Sequence, residues 1–232
     1  MIFQIKKYLE EITMKTTIIT NLIFISLIFC MVGCSGIHLT KDDNCIALFD
    51  GKTLKGWDGD RNWFRVEDGC IVAGSLEKEI PHNMFLCTTE EYGDFELKLE
   101  AKILGPGDNS GIQFRSRRIP GTTEVSGYQA DMGGPIGDFG VVWGSIYDEA
   151  RRNKMLVVAN QEEIKKASRT NEWNEMVLKC KGNHIQVWVN GYRSADYTEE
   201  DDTIAKSGII GFQIHAGAPT EVWLRNITLT EL

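Results

Sequence analysis

Basic charge is in short supply in this chain: 25 Lys and Arg stand against 33 Asp and Glu among 232 residues, a formal net charge of -8. Binding nucleic acid requires a basic face to neutralise phosphates, so no DNA or RNA partner is expected. Metal-type cysteine patterns are missing as well; there is no CxxC and no Cys/His spacing that reads as zinc. Helical periodicity is scarce and there is no internal repeat. The one long apolar stretch, residues 18–32, falls short of the ~20 residues of a membrane span. What remains, with 42% apolar and 25% charged residues, is the composition of a globular domain.

The N-terminus reads as an export signal. Residues 18–32 are apolar apart from Thr20, Asn21 and Ser26, follow a positive charge at Lys15, and end in Met31-Val32-Gly33-Cys34-Ser35. That ending resembles a bacterial lipoprotein signal, in which a small residue precedes the cysteine that is lipidated. Met31 stands where such signals usually carry Leu. Glu10 and Glu11 are foreign to an n-region, whereas Met14-Lys15-Thr16-Thr17 suits a start. The expected organisation is an upstream extension and signal over 1–33, a lipidated tether over 34–44 anchored to a membrane through Cys34, and one domain over 45–232. Its expected place is the cell envelope. Loss of Cys30 with the signal and lipidation of Cys34 leave Cys45, Cys70, Cys87 and Cys180, as free thiols or in any of three disulfide pairings.

From residue 47 onward the dominant signal is period-two alternation, clearest at residues 95–101, 111–117 and 185–189. Gly-rich turns punctuate it: Asp50-Gly51, Asp68-Gly69, Gly133-Gly134-Pro135, Gly182-Asn183 and Asn190-Gly191. The last two bracket a strand, which predicts a meander over 175–181, 185–189 and 193–197. Helix is expected only at Gln161–Ala167. Many short strands with such turns imply an all-β fold, two packed antiparallel sheets.

Ordered segments carry a family resemblance. They are Leu48-Phe49-Asp50-Gly51-Lys52-Thr53-Leu54-Lys55-Gly56-Trp57, Trp63-Phe64-Arg65-Val66-Glu67-Asp68-Gly69, Tyr92-Gly93-Asp94-Phe95-Glu96-Leu97, Asn109-Ser110-Gly111-Ile112, Gly127-Tyr128-Gln129-Ala130-Asp131, Gly144-Ser145-Ile146-Tyr147-Asp148-Glu149, Glu172-Trp173-Asn174 and Val189-Asn190-Gly191. Together they resemble the 3-keto-disaccharide hydrolase domain family, often found in bacterial lipoproteins. The resemblance implies a concanavalin A-like jelly-roll sandwich, of the lectin/glucanase type, acting on an oxidised glycoside or oligosaccharide whose glucose ring carries a ketone at C3.

Alternation assigns faces to the candidate site. With Ile112, Phe114, Phe212 and Ile214 turned to the core, Gln113, Arg115, Gln129, Asp131, Gln213 and His215 share the other face if their strands share a sheet. Amides, a guanidinium and a carboxylate make the directional hydrogen bonds that sugar hydroxyls require, and Trp143 or Tyr147 could stack on a pyranose. An ordinary solvated sheet face has the same alternation. Residues 133–147, glycine-rich and without clear periodicity, suggest a loop over the groove.

A C3 ketone acidifies the C2 proton and permits elimination across C1–C2, after which water adds; the sum is hydrolysis. That route requires a base, an enolate-holding electrophile and an acid. His215 or Asp131 is the expected base, Arg115 or a metal ion the electrophile, and Glu149 or Tyr147 the leaving-group acid. Asp131, Glu149 and His215 could jointly hold a divalent cation, and Glu149 could instead pair with Arg151 or Arg152. A non-catalytic carbohydrate-binding module on the same sandwich is the rival expectation.

Overall fold

The computed structural model describes residues 44–232. The export signal, Cys34 and all but the last residue of the tether lie outside them. The chain runs through β1 (Cys45–Ala47), β2 (Trp57–Asp58), β3 (Phe64–Glu67), β4 (Cys70–Ser75) and β5 (Met84–Thr88). The long central strands follow: β6 (Phe95–Leu104), β7 (Asn109–Arg118) and β8 (Val125–Gly133). After a short 3-10 turn at Gly137–Phe139 come β9 (Ile146–Glu149), β10 (Lys154–Val157) and the helix α1 (Gln161–Ala167). The chain closes with β11 (Asn174–Lys181), β12 (His184–Val189), β13 (Tyr192–Thr198), β14 (Ile209–Ile214) and β15 (Thr220–Glu231).

These strands make two antiparallel sheets, the sandwich expected from the alternation. One has the order β13-β12-β11-β6-β15-β4-β3, with β1 on β15; the other has the order β10-β9-β8-β7-β14-β5-β2. Crossovers such as β14 between β7 and β5 give the jelly-roll character. β11, β12 and β13 form the expected meander, and α1 stands where the sequence places its helix, capped by the Asn160 side chain on the N–H groups of Glu162 and Glu163.

The core lies between the sheets. Leu97, Leu99, Ala101 and Ile103 of β6 face Ile112 and Phe114 of β7, Tyr128, Ala130 and Met132 of β8, and Ile210, Phe212 and Ile214 of β14, all buried. Each large side chain so buried stabilises the fold by roughly 1.5–3 kcal/mol. Trp57 stacks on Phe212 with centroids 4.9 Å apart. Cys45, Cys70, Cys87 and Cys180 are all free thiols, the last three buried, and burial pushes Cys87 and Cys180 up to about 12, which keeps them protonated and inert.

The second sheet is unusual in being buried on both faces. β7 and β8 alternate apolar and polar residues, yet nearly every residue of both is buried. Part of the reason is the tip of the β7–β8 hairpin: Val125 packs on Phe85 and Cys87 on the outer face, and the Thr123 hydroxyl donates to the Asn83 carbonyl at 2.9 Å. The polar face of this sheet is therefore the floor of a hollow, not an open solvated surface.

Candidate functional site

Three strands of the second sheet set that floor. β8 pairs with β7 so that Asp131 lies opposite Gly111 and Gln129 opposite Gln113, and β14 pairs with β7 with Gly211 opposite Gln113. Gln213, two residues along β14, falls into line with Gly111 and Asp131. On the far edge of β8, Tyr147 is opposite Gln129 and Glu149 opposite Gly127. The result is a cavity of about 230 Å³ lined by Gln129, Asp131, Tyr147, Glu149, Gln213 and His215, with Asn83, Asn109, Ile136, Phe139 and Met155 completing its wall. Ile136 and Phe139 come from the 133–147 segment, which does border the groove.

Asp131 is its most perturbed group. Burial pushes its carboxyl up to about 8, the negative charge of Glu149 adds to the rise, and the hydrogen bond from Gln129 opposes it. Glu149 is raised in the same direction, by burial first and by the nearby Glu124 second. Glu149 does not pair with Arg151 or Arg152. Both arginines bond Asp148 instead, and Arg152 reaches on to Glu199 at 2.7 Å.

A directed chain of hydrogen bonds leads to Asp131. The Ser116 hydroxyl donates to Gln113 Oε1 at 2.7 Å, Gln113 Nε2 donates to Gln129 Oε1 at 2.8 Å, and Gln129 Nε2 donates to Asp131 Oδ1 at 2.8 Å. With Oδ1 occupied, Oδ2 is the oxygen left for a proton or a ligand. Gly111 makes room for this chain, because a Cβ there would collide with the Gln129 amide.

Gln213 is the converse case. It is buried, lines the cavity, and neither its Nε2 nor its Oε1 has a hydrogen-bond partner. An unsatisfied buried amide costs about 1–3 kcal/mol, and it marks where a ligand's polar groups would be received. His215 Nδ1 lies 2.7 Å from the Ala216 carbonyl. A carbonyl only accepts, so Nδ1 carries a proton, and the neutral ring with that tautomer has its lone pair on Nε2.

Three expectations are corrected. Arg115 does not line the cavity: β7 carries a bulge between Phe114 and Arg117, Arg115 sits there at φ +46, and its guanidinium bonds the carbonyls of Gly93 and Gly182 and the Asp94 carboxylate. Gln113 is fully buried with both amide atoms bonded in the chain above, so it orients neighbours rather than meeting a ligand. Trp143 is buried in the core and offers no stacking face. Asp131, Glu149 and His215 share the cavity, but among the described residues no three acidic, histidine or cysteine side chains are grouped to hold a metal ion.

Asn83, Asn109 and the apolar wall were not among the expected site residues. Asn109 stands in the family segment Asn109-Ser110-Gly111-Ile112; Asn83 has no sequence signal.

Among solved structures, a glycosyl-hydrolase-like protein of Parabacteroides distasonis superposes with a TM-score of 0.61 at 19% identity, covering 82% of this chain and 94% of that one. The carbohydrate-binding module CBM66 of Bacillus subtilis gives 0.53 at 10% identity, over 76% of this chain and 96% of that one. Both are likenesses of fold. A Bacteroides thetaiotaomicron protein described as a 3-keto-disaccharide hydrolase is 35% identical over 85 residues, 33% of this chain and 29% of that protein, so the match spans less than a third of that relative's length. The model of the 3-keto-alpha-glucoside-1,2-lyase-like domain matches residues 44–230, essentially the whole described chain, and the chain belongs to that family.

Proposed function

We propose that this domain cleaves glycosides whose sugar ring carries a C3 ketone, by elimination across C1–C2 followed by hydration. Family membership and the name of the Bacteroides relative support the substrate class. The observation that carries the chemistry is Asp131, a buried carboxyl raised to about 8 in a cavity that also holds a histidine with an available Nε2. A carboxyl kept neutral at pH 7 can donate a hydrogen bond to a developing enolate, the pattern by which an apolar site turns an acid into an oxyanion donor.

In this reading His215 Nε2 takes the C2 proton. The electron pair moves toward O3, where Asp131 Oδ2–H and the amide of Gln213 receive it. Collapse of the enolate forms the C1–C2 double bond and breaks the bond from C1 to the leaving oxygen, which the imidazolium of His215 protonates. His215, neutral again, deprotonates a water that attacks C1, and the proton returns to C2. Tyr147 and Glu149, on the β9 side, hold ring hydroxyls. Tyr147 and the exposed Phe139 give the cavity an aromatic border, as a binding module would have, but the convergence of Asp131, Glu149 and His215 in the same cavity favours catalysis.

The test incubates the mature domain with a 3-keto-glucoside and with the matching unoxidised glucoside. Release from the oxidised substrate alone is expected; release from neither, or from the unoxidised one alone, would overturn the proposal. A lipid on Cys34 would hold the domain at the cell envelope, and more than one acyl chain would make that anchoring stable.

A further inference from the structure

The cavity does not end at His215. A second hollow of about 500 Å³ opens beside it, walled by Gly105, Pro106, Gly107, Asp108, Gly134, Pro135 and Ala216, and it shares Asn109, Ile136 and His215 with the first. The two hollows therefore adjoin at His215. The composition of this trough is informative. Its walls are backbone and small side chains, which suits a polyhydroxylated ring that hydrogen-bonds to peptide groups. No lysine or arginine lines either part of the groove.

Carboxyl groups, in contrast, are concentrated there, each raised by burial above its ordinary value. Asp108 lies on the trough, half-buried, with φ +20 and no hydrogen-bond partner for its carboxylate among the described residues. Glu149 lines the inner cavity, and Glu124 stands close enough to raise it and to feel both His82 and His215. Arg118 is paired with Asp58, and Arg151 and Arg152 with Asp148.

We infer that the trough is the subsite for the group released in the reaction, and that it accepts an uncharged or amino-bearing sugar while excluding sugars that carry a carboxylate, sulfate or phosphate. This rests on the reading of His215 as the group at the scissile bond. The unpartnered amide of Gln213 lines the inner cavity, where its two polar atoms need a donor and an acceptor, as a sugar hydroxyl provides; a ring held there leaves the trough for the sugar beyond the scissile bond. A carboxylate in the trough would meet Asp108 with no lysine or arginine to offset it, in a partly desolvated setting where like charges are weakly screened. An ammonium group there would find Asp108 waiting.

The subsite can be tested without chemistry. Methyl glucoside, methyl glucosaminide and methyl glucuronoside, unoxidised, are titrated into the mature domain at pH 7 and followed by the backbone amide signals of Gly107 and Gly134. Expected are shifts at both amides with the first two sugars, tightest with the aminated one, and binding at least about tenfold weaker for the glucuronoside, a gap that narrows at high salt. In Asp108→Asn the advantage of the aminated sugar is expected to disappear. Glucuronoside binding as tight as glucoside, or binding that leaves both glycine signals unmoved, would overturn the inference. Because these ligands carry no ketone, a failure of the elimination mechanism leaves this result readable.

Discussion

Substituting Asp131 by Asn should stabilise the domain at neutral pH. Asp131 is 5% exposed, and its folded-state value of about 8 stands well above the ordinary 3.8. A raised carboxyl binds its proton more tightly in the folded than in the unfolded chain, so this group's contribution is most favourable below about pH 4 and is lost progressively as pH rises toward 8. At pH 7 the unfolded chain has released the proton and the folded one has not, which costs the wild type on the order of 4 kcal/mol. Asn keeps an acceptor for Gln129 Nε2 and carries no titration, so D131N escapes the cost. Urea unfolding of both proteins at pH 4 and pH 7 reads the difference directly. The stability gap should lie within about 1 kcal/mol at pH 4 and widen to several at pH 7, a midpoint shift of about 1–2 M urea for a chain of this size. Parallel pH dependences, or a wild type that gains relative to D131N as pH rises, would refute the assignment of a raised pKa.

Other consequences can be checked together. Gln129→Met removes the hydrogen bond that lowers Asp131, so the basic limb of the kcat/KM profile should move to higher pH; a downward move would contradict the direction of the relay. Replacing His215 by Gln should lower kcat by about 10²–10⁴-fold with the fold intact by circular dichroism, and loss of less than threefold would remove it from the mechanism. Cys34→Ala should shift the protein from the membrane to the soluble fraction of cells, whereas unchanged membrane association would argue against the lipid anchor.

Much of the architecture is legible in the sequence because period-two alternation and Gly-Asn or Asn-Gly turns are local signals. The meander of β11 to β13, the helix α1 and the core positions Ile112, Phe114, Phe212 and Ile214 all follow from residues within a few places of one another. Arg115 fails because one extra residue in β7 reverses the side on which it emerges, and period alone does not show where a bulge lies. Gln113 fails for a different reason: face assignment separates core from outer surface but not ligand-contacting from buried, and the hairpin tip that covers this sheet comes from a turn with no strong pattern. The glycines around Trp143 read as a loop over the groove, and in the fold that segment carries Trp143 inward to the core. The cavity's own residues, Asp131, Gln129, Gln213 and His215, were found together because strands β8 and β14 flank β7, the one long-range condition that the alternation required.

The most direct test of the central claim is the isotope effect at C2. Turnover of a 3-keto-glucoside deuterated at C2 is compared with the protiated compound under single-turnover conditions. Elimination begun by His215 predicts a primary isotope effect on the cleavage step, together with a transient enone absorbance before hydration. Equal rates for the two substrates with no enone, while cleavage proceeds, would contradict it and point to direct displacement at C1.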